Sequence, residues 1–158
     1  MKDIYQILND LEIEYQKIDH PAVFTVEEAK KYDTPGVGHC KNLFLRNKKG
    51  DKHYLFVLPS EKRVDFKKLS ETLNEDRLSF ASDERLQKYL GLTAGSVSPF
   101  GIINDENNEV VVVLDQELFN EEKLGFHPNI NTATLIINSD DLKKFIDKIG
   151  NKVLQIEI

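Results

Sequence analysis

The sequence predicts an α+β (mixed α/β) fold: a single domain over 1–158 whose mixed, mostly antiparallel sheet is surrounded by helices. Three observations carry this. Apolar strands at 42–47 and 53–58 are separated by Lys48-Lys49-Gly50-Asp51, the composition of a hairpin turn. Helical segments with their own cap residues fall among the strands at irregular intervals, not in the alternating rhythm of a βαβ array. No repeat, low-complexity tract or linker divides the 158 residues, a length suited to one domain with a sizeable core.

In chain order, Ile4, Ile7, Leu8 and Leu11 share one helical face, predicting a helix over 3–11. Residues 14–19 alternate around Tyr15 and Ile18 as a strand, which His20-Pro21 ends. Thr25-Val26-Glu27-Glu28 forms a capping box for a helix over 26–32. Pro35, Gly36 and Gly38 make 33–39 read as a loop. After the hairpin, Pro59 closes the second strand, and Val64, Leu69 and Leu73 mark a helix over 64–73. A short strand at 78–81 leads to Ser82, which caps a helix through Leu90 with Gly91 as its stop. Beyond the loop Gly95–Gly101, strands follow at 109–114, 123–126 and 132–137, with a single helical turn at 115–120. Ser139 caps a last helix to Ile149, and 153–158 is a final strand.

No apolar run approaches the ~18 residues of a bilayer span, and the N-terminus lacks the apolar core of a signal peptide; a cytoplasmic protein with no membrane association is expected. Net charge is −6, yet residues 30–68 hold eleven Lys/Arg against four Asp/Glu. Such a basic third in an acidic chain reads equally as a phosphate-facing patch and as solvated turn and helix charges.

Gly95-Ser-Val-Ser-Pro-Phe-Gly101 packs two glycines, two hydroxyls and a proline into seven uncharged residues. Glycine permits positive φ and close approach to a ligand, and proline stiffens the segment. The spacing fits neither a dinucleotide fingerprint nor a P-loop, and by itself a structural loop is the better reading. His20 and His127 each precede a proline at a strand end, where side chains meet a sheet rim. The four histidines show no zinc-like spacing, and the lone Cys40 has no cysteine partner, so no metal or cofactor is implied. Cys40 beside His39 suggests a nucleophile, but neighbours on a strand face opposite ways, which favours a structural thiol. Lys41, read as the first residue before an apolar strand, is placed to be partly desolvated and to stabilise negative charge; a strand-edge lysine in solvent is the plain alternative.

Taken together, His-Pro-Ala-Val-Phe-Thr at 20–25, Cys-Lys-Asn-Leu-Phe-Leu at 40–45, His-Tyr-Leu-Phe-Val-Leu-Pro at 53–59, Gly91–Gly101 and His-Pro-Asn-Ile-Asn-Thr-Ala-Thr at 127–134 resemble the YbaK/prolyl-tRNA-synthetase-associated editing domain family. The likeness runs almost the whole chain and is nearest to the free-standing ProX/PrdX (ProXp-ala) type; Ala94 departs from the proline common before the glycine loop there. The resemblance implies a trans-editing hydrolase that cleaves the ester of tRNA(Pro) mischarged with alanine, with prolyl-tRNA synthetase as a further partner. It implies that Lys41 contacts the ester, that Gly95, Ser96, Val97, Ser98 and Pro99 present backbone to the aminoacyl or terminal-adenosine group, and that His127 forms the opposite wall. His20 joins this substrate-binding set, with Val26 and Phe44 as walls setting alanine size. Arg46, Lys48, Lys49, Lys62 and Arg63 would meet acceptor-stem phosphates. Deacylation of Cys-tRNA(Pro) or of a seryl or threonyl species, and binding of aminoacyl-tRNA or an amino acid without turnover, remain alternatives. A prolyl active site rejects the smaller alanine by only about 1–3 kcal/mol, which is why a second, hydrolytic site is needed.

Overall fold

The computed structural model describes residues 2–23, 25–32 and 34–158, without the side chains of 26 and 29. Eight strands form one mixed sheet: β1 (Gln16–Asp19), β2 (Val37–Asn47), β3 (His53–Pro59), β4 (Leu78–Phe80), β5 (Val110–Asp115), β6 (Lys123–Phe126), β7 (Ala133–Asn138) and β8 (Val153–Ile156). Their order is β1-β7-β6-β2-β3-β5-β8, with β4 also on β2. The β1–β7, β2–β3, β2–β4 and β6–β7 pairs are antiparallel; β2–β6, β3–β5 and β5–β8 are parallel.

Five α-helices accompany the sheet: α1 (Ile4–Asp10), α2 (Val26–Lys30), α3 (Phe66–Thr72), α4 (Asp83–Leu90) and α5 (Ser139–Ile149). Their ends follow local chemistry. Asp3, Asp65 and Ser82 accept main-chain N–H groups at three N-termini, Thr25 does so for Glu28, and Gly91 ends α4 at a φ of 65°. Two apolar cores result. The larger gathers Leu8, Phe44, Leu90, Phe100, Phe126, Phe145 and their neighbours; the smaller gathers Leu45, Phe56, Leu58 and Leu69 on the other face of β2–β3.

Strand β2 departs from the sequence expectation. It begins at Val37, inside the segment read as a loop, so Lys41 lies within the strand and not at its mouth. Gly38 fits this strand by leaving space: a Cβ there would sit 2.7 Å from Glu121 Cγ and 3.0 Å from Leu124 Cδ2 of β6. The glycine that looks like a breaker is what lets the β6 side come close. Residues 37–39 pair with 123–125 of β6, residues 40–46 pair with β3, and residues 45–47 pair with β4. Between His39 and Leu45 the edge of β2 away from β3 therefore has no strand on it among the described residues, and the sheet has a gap at Cys40, Lys41 and Asn42.

Candidate active site

His20 is the residue after β1, and His127 the residue after β6. Both strands run antiparallel to β7, so they end at the same edge and deliver the two histidines to one place. The rings meet edge-on with centroids 6.0 Å apart. Pro21 and Pro128 follow them and stop each strand from continuing.

The hydrogen bonds define the tautomers. His127 Nδ1–H donates to the Ala133 carbonyl at 2.9 Å, which leaves a lone pair on Nε2. Burial, with a smaller contribution from His20, holds the His127 pKa below the ordinary histidine value despite that bond, so the ring is neutral near pH 7. His20 Nδ1–H donates to the Pro21 carbonyl at 2.9 Å, and its Nε2 accepts from the Thr134 hydroxyl at 2.9 Å. Tyr32 stacks on His20, centroids 5.1 Å apart and rings 23° from parallel.

These groups line a cavity of about 140 Å³, together with Cys40 and Asn42 across the gap in β2, Val37, Phe126 and Ser60. Cys40 contributes volume, not reactivity: burial and the Glu121 carboxylate push its thiol pKa up to about 12. Asn42 is the unusual member. Its amide oxygen is buried and has no hydrogen-bond partner among the described residues, an open acceptor beside a cavity.

Other residues expected at the site lie elsewhere. Lys41 shares a strand face with Leu43 and Leu45, which pack on the smaller core, while Cys40 and Asn42 alternate onto the cavity face. Phe44 is buried in the larger core against His53. Neither Lys41, Phe44 nor any residue from Gly95 to Pro99 is among the described residues lining the cavity. The loop is a packed element: Ser96, Ser98 and Pro99 are buried, and Ser98 Oγ accepts from Phe100 N–H. Gly95 and Gly101 are not among the glycines with positive φ. At Gly101 the requirement is space, since a Cβ would meet Leu92 Cδ1 at 2.6 Å. The loop is tied to the segment after His127 where the Asn129 side chain donates to the Phe100 carbonyl at 3.4 Å. The wall role expected of Val26 lies outside the described residues. Among the described residues, no group of three His, Cys, Asp or Glu side chains is set to hold a metal.

Residues 20–145 match the family model of the aminoacyl-tRNA editing domain. The chain belongs to that family. This makes it an enzyme of the aminoacyl-tRNA deacylase class. It is 45% identical over 152 residues to the prolyl-tRNA editing protein ProX of Acetoanaerobium sticklandii, covering 96% of this chain and 93% of the relative. It is 33% identical to prolyl-tRNA synthetase associated domain-containing protein 1 of Danio rerio, covering 93% and 81%. Among solved structures, a candidate trans-editing enzyme for prolyl tRNA synthetase shares the fold with a TM-score of 0.70 at 20% identity, over 100% of this chain and 98% of that one. A hypothetical protein does so at 0.77 and 18%, over 98% of each. No helix among the described residues is long and apolar enough to cross a membrane.

In this editing domain the proposed RNA contacts fall at both ends of the β2–β3 hairpin. Lys48 and Lys49 are exposed at its turn, and Arg63 is exposed just past the other end. Arg46 donates to the carbonyls of Asn47 and Lys48. Lys62 is held by Asp115 at 2.8 Å and Glu117 at 3.3 Å, the Asp115 bond keeping its ammonium charged. Asn42 and Tyr32 escaped sequence reasoning. A lone amide at the head of an apolar strand run was the only available signal for Asn42.

Proposed function

We propose that this protein hydrolyses the ester of alanine on tRNA(Pro), acting in trans after prolyl-tRNA synthetase has released the mischarged product. The names of its relatives supply the tRNA. The observation that carries the amino acid is the size and polarity of the cavity. At about 140 Å³ it is well below the ~300–1,000 Å³ of sites for larger ligands, and it suits a short aminoacyl group with an attacking water.

The aminoacyl ester is already activated, so the site has to position water and stabilise charge more than supply a protein nucleophile. The Asn42 amide oxygen accepts from the substrate's α-ammonium, which provides its missing partner. His127 Nε2, kept unprotonated by burial, accepts a hydrogen bond from the attacking water or the vicinal ribose hydroxyl. Water adds to the carbonyl, the bond to the ribose oxygen breaks, and the water's proton passes to that oxygen. The products are alanine and tRNA with its terminal hydroxyl restored. Lys41, assigned to the ester end by family likeness, stands at the strand gap. Its four-carbon stem lets the ammonium swing past the unpaired edge of β2 toward the developing oxyanion.

The deciding experiment is deacylation of a panel of tRNA(Pro) charged with alanine, cysteine, serine, threonine and proline. Alanine is expected to be released fastest and proline to be spared. Faster release of cysteine or serine overturns the alanine assignment, and absence of turnover on every ester overturns the hydrolytic one.

A further inference from the structure

Among the described residues three large apolar side chains are notably exposed: Phe80, Ile130 and Tyr32. Phe80 leans on Phe66 and lies outside the cavity; of the three, only Tyr32 lines it. Tyr32 as a residue is 39% exposed, yet its ring is oriented, because it lies nearly parallel to His20. His20 is in turn fixed on three sides: its main-chain N–H donates to Thr132 at 3.0 Å, and both ring nitrogens are bonded as described above. A rigid shelf thus supports an aromatic face at the cavity mouth, one ring beyond the His20–His127 contact that forms the inner wall.

Resting on the deacylase reading above, we propose that Tyr32, backed by His20, is the stacking platform for the terminal adenine of the aminoacylated RNA. The ester carbonyl of such a substrate lies at the His127 end of the cavity, and the base attached to the same ribose must leave through the mouth. An aromatic ring there offers the base a face regardless of its hydrogen-bonding edges, which is how single-stranded ends are commonly held. A ring pair with offset, near-parallel geometry is also the arrangement in which a third ring stacks well. The tyrosine hydroxyl has no part in this, so the platform tolerates phenylalanine and not leucine.

The test is equilibrium binding of fluorescently labelled, uncharged minihelices ending either in the full CCA or with the terminal base removed. Wild type and Tyr32→Phe are expected to prefer the complete end by about tenfold. Tyr32→Leu is expected to bind both RNAs equally, at the level wild type shows for the baseless end. In turnover on alanylated minihelix, the Tyr32→Leu loss falls on KM more than on kcat. The platform is overturned if wild type does not distinguish the two RNAs, or if Tyr32→Leu keeps the preference. Because binding is read without hydrolysis, the two claims fail separately: preference for the base with no ester cleavage sinks the deacylase reading, and cleavage without that preference sinks the platform.

Discussion

At the turn of the β2–β3 hairpin, both ends of the Asn47 amide are engaged: its nitrogen donates to Asp51 at 2.6 Å and its oxygen accepts from the N–H groups of Asp51 and Lys52, each at 3.1 Å. At the other end Asn42 keeps a buried oxygen with no partner among the described residues. The histidines repeat the contrast. His53, beside the turn, accepts from Arg85 at 3.0 Å and lies 4.1 Å from the Tyr89 ring, closed in on every side. His127, at the cavity, is equally neutral but turns an unprotonated nitrogen away from its one backbone bond. One end spends its polar groups on holding the fold. The other withholds them, at a cost in stability that a ligand can recover.

The largest effects should come from the open end. Lys41→Ala is expected to slow alanyl-tRNA(Pro) hydrolysis by ~10²–10³-fold, the usual loss for removing one group that stabilises an oxyanion. His127→Ala should lose about 10²-fold, near the lower bound of that range. Single-turnover deacylation reads both. Unchanged turnover in Lys41→Ala would confine that lysine to the smaller core's face and leave the chemistry to Asn42 and His127.

Next in size is an effect confined to the closed end. Burial, reinforced by Arg85, Arg46 and Lys88, lowers the His53 pKa to about 4. A folded value below the unfolded one means the unfolded chain binds the proton more readily. The stabilisation is therefore complete above pH ~6.5 and drains away as pH falls toward 4, by about 3 kcal/mol in all. Urea unfolding of wild type and His53→Gln across that window should show the extra slope in wild type alone. Turnover carries a different signature: it rises with pH through the lowered His127 value and levels off at a lower pH than an ordinary histidine would give, and His53→Gln should not shift that profile.

The closed end was the readable one, and the reason is locality. Lys48–Asp51, Ser82 and Gly91 announce a turn and two caps through contacts a few residues away, and helix α5 ends at Ile149 as expected because its apolar positions repeat within the helix itself; Ser139, expected as its cap, is instead its first residue, after Asn138. The open end depends on distant pairings. Gly38 reads as a breaker until Lys123–Gly125 is known to lie alongside, and the histidines meet only because β7 sits between their strands. Motif likeness pointed to His20, His127 and Lys41, of which the two histidines line the cavity and Lys41 does not; no local pattern distinguishes Asn42, whose buried oxygen has no partner among the described residues.

Asn42→Ala sharpens the contrast at a smaller scale. Truncating an amide that the fold leaves unsatisfied should cost about tenfold in kcat/KM while leaving the melting temperature unchanged or higher. Asn47→Ala, which strips partners from two N–H groups, should do the reverse: a lower melting temperature and turnover within about twofold. Parallel melting curves and kcat/KM values would show whether the two amides differ as described; a melting temperature lowered by Asn42→Ala would mean its oxygen serves the fold after all.

The smallest effect asks whether RNA touches the closed end at all. Cys40 and Arg46 are six residue steps apart along β2, about 20 Å of strand, so the turn lysines lie far from an ester bound at the cavity. Arg63 instead follows Ser60 and Glu61, both of which line it. Arg63→Ala should therefore raise KM severalfold, and the double variant Lys48→Ala/Lys49→Ala by less, with kcat retained in each. Every lost phosphate contact should also flatten the dependence of log affinity on log salt by ~0.7–0.9. If the turn variant flattens that slope and the Arg63 variant does not, the acceptor stem runs along the hairpin toward Asn47, and the closed end has a second duty in holding RNA. If only Arg63 matters, the turn lysines are solvated charge, and substrate recognition is confined to the half of the hairpin whose polar groups the fold left open.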